Sequence, residues 1–211
     1  MKLRIVALSD THGLYRRIKI PAGDVLIHAG DMTRHGRLDE MDDFNEFLGT
    51  LPHACKLIIA GNHDFCFDSH PAKSQRRLTN GTYLQDRGIS VQGVNFYGSP
   101  WQPMFRDMAF NLPRGPALQD KWRFIPQETD VLITHGPPWG QRDRSLLSGQ
   151  VGCRDLMKTV ERIKPVLHVF GHIHEAAGQS SNGHTLFVNA SVCNALYWPV
   201  NRPFVYELMA A

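Results

Sequence analysis

Five short apolar segments constrain the fold of this chain more than any other feature of its sequence. Each is rich in Val, Ile and Leu and almost continuously apolar; together they cover residues 3–8, 25–27, 57–60, 131–133 and 166–170. Strands that are covered on both faces have this pattern, whereas strands with one face in water alternate between apolar and polar residues. The sequence therefore predicts five strands in the interior of the molecule.

Helical patterns and further strand patterns surround these segments. Residues 37–51 space their apolar side chains for one helical face, and residues 152–164 predict a second helix that Pro165 ends. Residues 82–99 and 184–208 contain short alternating runs broken by Gly and Asn, which are typical of antiparallel strands and hairpins. Strands that alternate with helices, together with the added β-strands, predict an α/β fold with two layers of sheet.

Length and composition indicate one globular domain. The chain has 211 residues, which suits a single domain over residues 1–211, and 42% of them are hydrophobic. A formal net charge of +3 gives little reason to expect nucleic acid or an anionic membrane as a partner. The four cysteines follow no metal-binding spacing, and no apolar run suits a membrane span or a leader peptide. These features predict a cytoplasmic protein with free thiols.

Side chains that bind metals follow all five predicted strands, in each case after a small residue. The seven oxygen and nitrogen donors are Asp10, His12, Asp31, Asn62, His135, His172 and His174. Ligands of α/β sheets bind at the carboxyl ends of the strands, so we expect these side chains to converge. In an extended chain His172 and His174 would point to the same side. One such motif is weak evidence because Asp, Asn and Gly are common in turns, but turns do not explain five motifs at five strand ends.

The chemistry of this donor set predicts two divalent ions. Oxygen and nitrogen donors without a thiolate suit manganese, iron or zinc, and we favour manganese. Seven ligands are too many for one catalytic ion with an open position, whereas a bridging Asp31 would share them between two ions. With a bridging hydroxide, such a centre would carry a net charge of about +1, attract a phosphate ester and direct the hydroxide at phosphorus.

One histidine of the motifs is left for proton transfer. His63 lies between Asn62 and Asp64 and is not needed to bind either ion. It is a candidate to protonate the leaving oxygen, with Asp64 orienting its ring and favouring the imidazolium. His28 fits either a supporting role beside the metal ligands or a place in the core, and His168 lies inside a predicted strand and is assigned to the core.

The order of these motifs resembles that of the calcineurin-like metallophosphoesterases. The matching motifs are Asp10-x-His12, Gly30-Asp31, Gly61-Asn62-His63-Asp64, His135 and Gly171-His172-x-His174. Further stretches such as SPWQP (99–103), LITHGPPWG (132–140) and HVFGHIHE (168–175) are similar to the metallophosphoesterase-domain-containing subfamily, which includes cyclic-nucleotide phosphodiesterases.

This resemblance implies a fold and a division of roles. The implied fold is a four-layer α/β/β/α sandwich. One implied ion is held by Asp10, His12, Asp31 and His174, and the other by Asp31, Asn62, His135 and His172. The resemblance also implies a catalytic role for His63, with Asp64 behind it.

The substrate is predicted to be a small phosphodiester or a nucleotide. Candidate contacts to it are Asn62, His63, Arg34, His35 and Trp139. Phe105 and Phe110, in the long aromatic- and proline-rich connection 100–116, could stack on a base, but we favour core positions for both. Alternatives are a phosphomonoesterase or a nuclease of the same superfamily, or a scaffold without catalysis, and the sequence indicates no protein partner.

Overall fold

The computed structural model describes residues 2–209, which form two large sheets, two small ones and five α-helices. The strands are β1 Lys2–Leu8, β2 Val25–Ala29, β3 Cys55–Ile59, β4 Thr82–Tyr83, β5 Arg87–Val91, β6 Val94–Ser99, β7 Gln102–Pro103, β8 Asn111–Leu112, β9 Val131–Thr134, β10 Arg144–Ser145, β11 Gly149–Gln150, β12 Leu167–Phe170, β13 Gly178–Ser181, β14 Leu186–Asn189 and β15 Phe204–Met209. The helices are α1 Leu38–Gly49, α2 Phe65–Ser69, α3 Pro71–Arg77, α4 Pro116–Trp122 and α5 Arg154–Ile163. Within residues 2–209, no helix is long and apolar enough to cross a membrane.

Two sheets form the centre of the molecule. The first has the order β15-β1-β2-β3-β4, in which β1 to β4 are parallel and β15 is antiparallel to β1. The second has the order β13-β14-β12-β9-β6-β5, in which β14, β12, β9 and β6 are parallel. Its outer strands β13 and β5 are antiparallel to their neighbours. The carboxyl ends of β1, β2 and β3 therefore share one edge, as do those of β9 and β12.

Three apolar layers hold the sheets and helices together. The middle layer lies between the two sheets and includes Ile27, Ile133 and Val169. An outer layer packs α1 on the first sheet, where Phe44 is fully buried. The other outer layer packs α4 and α5 on the second sheet and includes Trp122. This arrangement is the four-layer α/β/β/α sandwich that the resemblance implied, so the predicted fold class is confirmed.

The local predictions are confirmed for the apolar segments and corrected near the carboxyl end. All five predicted strands and both predicted helices form, with ends shifted by a few residues. Residues 82–99 contain the antiparallel pair β5–β6. Residues 184–208 do not form a hairpin, because β14 stays in the second sheet and β15 crosses to pair with β1. The side of β1 that faces away from β2 has backbone NH and C=O groups that need partners, and β15 supplies them.

Candidate metal centre

The ends of the two sheets meet at the residues that follow their parallel strands. His135, after β9, places its Nδ1 atom 3.0 Å from the carbonyl oxygen of Ala29, the last residue of β2. Ser9, after β1, forms a parallel bridge with Ser191, after β14. The loops of both sheets thus converge on one place, as the positions of the motifs predicted.

The small residues after the strands allow this close approach. A Cβ atom on Gly171 would lie 2.0 Å from Ser9 Oγ and 2.1 Å from Asp10 Oδ2. A Cβ atom on Gly61 would lie 2.3 Å from Asp31 Oδ1. All three distances are far below van der Waals contact, so any larger residue would push a carboxylate out of the centre.

Four of the predicted ligands have left-handed backbone conformations. The φ angles are 55° at Asp10, 43° at His12, 56° at Asp31 and 70° at His172. Non-glycine residues seldom adopt this region, and clusters of them occur where function requires a particular side-chain direction. The left-handed turn at His172 also corrects one expectation, because the chain is not extended between His172 and His174; His174 begins a 3₁₀ turn instead.

One group of ligands joins the first sheet to the last motif. Asp10, His12 and His174 each offer a donor atom, and these atoms all lie within 4.8 Å of one another. His174 Nε2 is 3.2 Å from His12 Nε2 and 3.4 Å from Asp10 Oδ1. The other oxygen of Asp10 accepts a hydrogen bond from Ser191 Oγ at 2.6 Å, which leaves Oδ1 directed at the histidines.

Asp31 lies between this group and a second one. Its Oδ2 atom is 3.8 Å from His12 Nε2, and its Oδ1 atom is 3.5 Å from His135 Nε2. His135 Nε2 is also 2.9 Å from Asn62 Oδ1. The two oxygens of one carboxylate thus face the two groups, which is the geometry that a bridging ligand needs. The ring of His172 completes the second group, with its centre 5.1 Å from that of His135.

The hydrogen bonds of two histidines show that their donors fit a cation. Nδ1 lies 3.0 Å from Ala29 O in His135 and 3.0 Å from Asn194 O in His174. A carbonyl oxygen only accepts, so each Nδ1 carries the proton, and a neutral ring then turns the lone pair of Nε2 towards the centre. The Nε2 atom of His135 lies 2.9 Å from the amide oxygen of Asn62, so these two donor atoms are close enough to bind one cation together.

The charges of the centre lead to the same conclusion. Burial and the charges of Asp10 and Asp64 raise the pKa of Asp31 well above its ordinary value. Burial lowers the pKa of His174, but the hydrogen bond and charge of Asp10 outweigh it and raise this pKa to about 9. Without ions, Asp31 and His174 therefore bind protons. Divalent cations would displace these protons, so the affinity for the cations would increase with pH.

Comparison with known proteins identifies the family. The calcineurin-like phosphoesterase family model matches residues 3–176, most of the chain. This chain belongs to the calcineurin-like phosphoesterases. It is 48% identical to human metallophosphoesterase domain-containing protein 1, over 97% of this chain and 71% of the human protein. It is 44% identical to UPF0046 protein K07C11.7 of Caenorhabditis elegans, over 98% of this chain and 75% of the relative.

The fold is also found in solved structures of low sequence identity. TT1561 of Thermus thermophilus superposes with a TM-score of 0.61 and 13% identity, over 90% of this chain and 89% of that one.

Two divalent ions at the centre of the present chain would supply positive charge for phosphate oxygens and lower the pKa of a water towards roughly 7. The residues that would hold them are the seven predicted donors.

His63 faces the centre of this phosphoesterase with a fixed ring. Its ring centre is 4.7 Å from that of His12, and one of its nitrogens belongs to a group of donor atoms with His12 and Asp31. Nδ1 lies 2.9 Å from Arg34 O, so Nδ1 donates to this carbonyl and Nε2 faces the centre. This orientation suits the transfer of a proton from Nε2 to a leaving oxygen.

Asp64 does not orient the ring of His63, and the prediction of that contact is wrong. Its carboxylate is fully buried and accepts hydrogen bonds from the backbone NH groups of Asp31, Thr33 and Gly61 at 2.8, 2.9 and 2.8 Å. Asp64 is the N-cap residue of α2, and its carboxylate bonds to the loop that carries Asp31, whereas Nδ1 of the His63 ring bonds to Arg34 O. The residue therefore holds a ligand loop, and Arg34 O has the role that was expected of Asp64.

The remaining predicted substrate contacts have different positions. Arg34 and His35 lie exposed beside His63, and their backbone NH groups donate to Glu40 at 3.1 and 3.3 Å. Trp139 lies elsewhere, with its ring centre 3.6 Å from the guanidinium carbon of Arg154. The structure thus places Arg34 and His35 on the surface next to His63, and it gives Trp139 a cation–π contact with Arg154.

Tyr197 is a residue of the site that the motifs did not reveal. Its ring centre lies 4.6 Å from that of His12 and 5.3 Å from that of His174. The loop that carries it is fixed by Asn194, whose side-chain oxygen accepts from the NH groups of Leu196 and Trp198, both at 3.0 Å. No motif or periodicity marks this loop in the sequence, because its position depends on the crossing between the two sheets.

A cavity of about 310 Å³ opens next to the second group of ligands. Its lining residues include Met104, Phe105, Arg114, Ser145, Glu175 and His172. Phe105 is 46% exposed with its ring edge-on to His172, so the expected core position is wrong for Phe105, whereas Phe110 is buried as expected. The small hairpin β10–β11 forms one wall, held by Leu146 NH donating to Glu175 Oε1 at 2.9 Å.

Proposed function

We propose that this chain is a metal-dependent phosphodiesterase that hydrolyses small phosphodiesters such as cyclic nucleotides, with manganese as its metal. The observation that carries the proposal is the cavity beside His172, which joins the ligand cluster and has room for an ester substituent. Its volume is at the lower end of the range for small-molecule sites, so it suits a substituent of nucleoside size better than a polymer.

The lining of the cavity favours a diester over a monoester. Phe105 and Met104 offer apolar contact, and Glu175 adds a carboxylate. Burial raises the pKa of Glu175, but hydrogen bonds from Leu146, Ser145 and its own backbone NH, with the charge of His174, together outweigh it. The pKa therefore lies below the ordinary value, and the group is ionised near neutral pH. The negative charge of Glu175 in the cavity repels additional phosphate oxygens, and its carboxylate oxygens accept hydrogen bonds from N–H groups. An uncharged substituent with hydrogen-bond donors, such as a nucleobase, fits these contacts.

A substrate panel tests this proposal. Bis-p-nitrophenyl phosphate, p-nitrophenyl phosphate, cyclic nucleotides and single-stranded DNA are each assayed with manganese. We expect the highest kcat/KM for the small diesters. A preference for the monoester would show a phosphomonoesterase, and efficient cleavage of DNA with strong salt dependence would show a nuclease. Protein with less than one ion per chain and no activity after addition of metal would be a scaffold.

The His63→Ala protein tests proton transfer to the leaving oxygen. We expect a loss of about 10²- to 10⁴-fold in kcat for alkyl leaving groups, because these must be protonated as the bond breaks. For p-nitrophenolate, which leaves without a proton, the loss is expected to be much smaller. The His70→Ala protein is a control, because His70 is exposed and its ring bonds to Ser69 Oγ at 2.9 Å, away from the metal centre. Equal losses for both leaving groups would contradict the assigned role.

A further inference from the structure

Two hydrogen-bonded pairs of a threonine and a buried histidine lie beneath the metal centre, one in each sheet. Thr11 Oγ1 lies 2.9 Å from His28 Nε2, and Thr134 Oγ1 lies 2.9 Å from His168 Nε2. In both pairs the threonine directly precedes a histidine of the metal centre. The same arrangement thus occurs once for each group of ligands.

The two pairs occupy corresponding positions in the fold. His28 lies on β2, beside the parallel strand β1 whose chain continues to the first threonine. His168 lies on β12, beside the parallel strand β9 that carries the second. The ring centre of His28 is 5.1 Å from that of Phe44 on α1. The ring centre of His168 is 5.0 Å from that of Phe170, which belongs to the apolar layer between the second sheet and helices α4 and α5. Each imidazole therefore approaches its threonine from the outer side of a sheet.

Each of these two histidines destabilises the fold through one of its ring nitrogens. His28 and His168 are 1% and 0% exposed, and burial lowers the pKa of each to about 3, so both rings are neutral. Within residues 2–209, the Nδ1 atom of each ring has no hydrogen-bond partner. A buried polar atom without a partner destabilises the fold, and an apolar residue would avoid this cost.

The second pair shows how the hydrogen bond holds the ligand. Thr134 Oγ1 lies 2.8 Å from the carbonyl oxygen of Gly136, which only accepts, so the hydroxyl donates its one proton there. The Nε2–H group of His168 must then donate to Thr134 Oγ1. This chain of bonds connects the residues on both sides of His135 and restrains the direction of its ring. In the first pair, the hydroxyl of Thr11 can likewise donate to a backbone carbonyl, that of Met32, whose oxygen lies 3.5 Å from Thr11 Oγ1.

We infer that His28 and His168 are positioning residues that each hold one half of the metal centre through the adjacent threonine. His28 acts on the ion bound by Asp10, His12 and His174, and His168 acts on the ion bound by Asn62, His135 and His172. The inference rests on the two-ion centre of the proposed function but not on the identity of its substrate.

The test measures the binding of Mn²⁺ to metal-free protein by calorimetry and locates each ion by anomalous scattering. The His28→Phe and His168→Phe proteins are each expected to bind one ion about 10- to 100-fold more weakly and to keep the affinity of the other. Glutamine at either position can still donate to the threonine, so His28→Gln and His168→Gln are expected to restore most of the affinity. Thr11→Val and Thr134→Val remove only the hydroxyl and are expected to show the same selective losses.

A buried histidine outside the centre supplies the matched control. His53 is 2% exposed and its Nε2 atom lies 3.0 Å from Pro21 O, so His53→Phe is expected to leave both ions unchanged. Wild-type protein with two ions and Phe and Val variants with unchanged affinities would overturn this inference alone. Equal weakening of both ions in the Phe and Gln variants would also overturn it. A wild-type protein that binds no divalent ion would overturn the proposed function as well.

Discussion

The Asp31→Asn protein is expected to lose phosphoesterase activity by roughly a thousandfold or more. Asp31 lies between the two halves of the centre: one carboxylate oxygen is 3.8 Å from His12 Nε2 and the other is 3.5 Å from His135 Nε2. An amide keeps the shape but has one oxygen and no charge. We therefore expect kcat and the number of bound ions per chain to fall together.

The same substitution is expected to stabilise the protein when metal is absent. The pKa of Asp31 is raised by burial and by the charges of Asp10 and Asp64, so the ionised form destabilises the metal-free fold once the pH exceeds the unfolded pKa. Asparagine resembles the protonated form. In EDTA at neutral pH, Asp31→Asn should thus unfold at a higher temperature than wild type.

Two outcomes would contradict this account of Asp31. The first is normal activity of Asp31→Asn with two bound ions, and the second is a lower melting temperature than wild type in EDTA. Asp130→Asn is the control, because Asp130 accepts a backbone hydrogen bond from Asn95 at 2.8 Å and lies outside the ligand set. It is expected to retain both activity and metal content.

The Asp64→Asn protein is expected to show the largest loss of stability. Both oxygens of the buried carboxylate accept bonds: Oδ2 from the NH groups of Asp31 and Gly61, and Oδ1 from the NH and hydroxyl of Thr33. An amide presents NH₂ in place of one oxygen and leaves at least two buried donors without an acceptor. This should cost about 3–5 kcal/mol, or a fall in melting temperature of roughly 6–20 °C.

This experiment is best done in EDTA, so that the loss of bound metal does not contribute to the change. Asp43→Asn is a suitable comparison, because Asp43 also accepts from two side chains, Tyr15 and Arg16, but its own side chain is 49% exposed. We expect a fall of only a few degrees for Asp43→Asn. A similar small change for Asp64→Asn would show that the loop of Asp31 does not depend on this carboxylate.

The parts of the fold that could be predicted are those in which the pattern of apolar residues along the chain matches the residues that are buried. Val25–Ala29 and Leu167–Phe170 are fully buried strands, and their almost continuous apolar character is typical of strands covered on both faces. The amphipathic pattern of residues 37–51 likewise predicted α1, because its buried residues follow one helical face. The crossing of β15 to the first sheet was not predictable, since its alternating pattern suits either sheet edge.

The candidate site divides in the same way. The convergence of the seven candidate ligands could be predicted because a parallel sheet brings strand ends together whatever the intervening loops do. The partners of these ligands could not. The sequence does not show which carbonyl accepts a hydrogen bond from His63, or which NH groups donate to Asp64. These contacts depend on the directions of loops that contain left-handed residues such as Asp31, and no pattern of residue types encodes those directions.

The order of apolar segments and of the polar residues after them is therefore enough to specify a buried sheet core and the donors at its edge. Those features arise from hydrophobic burial and strand direction, which each segment carries locally. Three features arise only when the two sheets pack: the position of Asp31 between the two groups of ligands, the position of Tyr197 beside His12, and the two threonine–histidine pairs. They depend on distances between residues far apart in the chain, and these distances exist only in the folded protein.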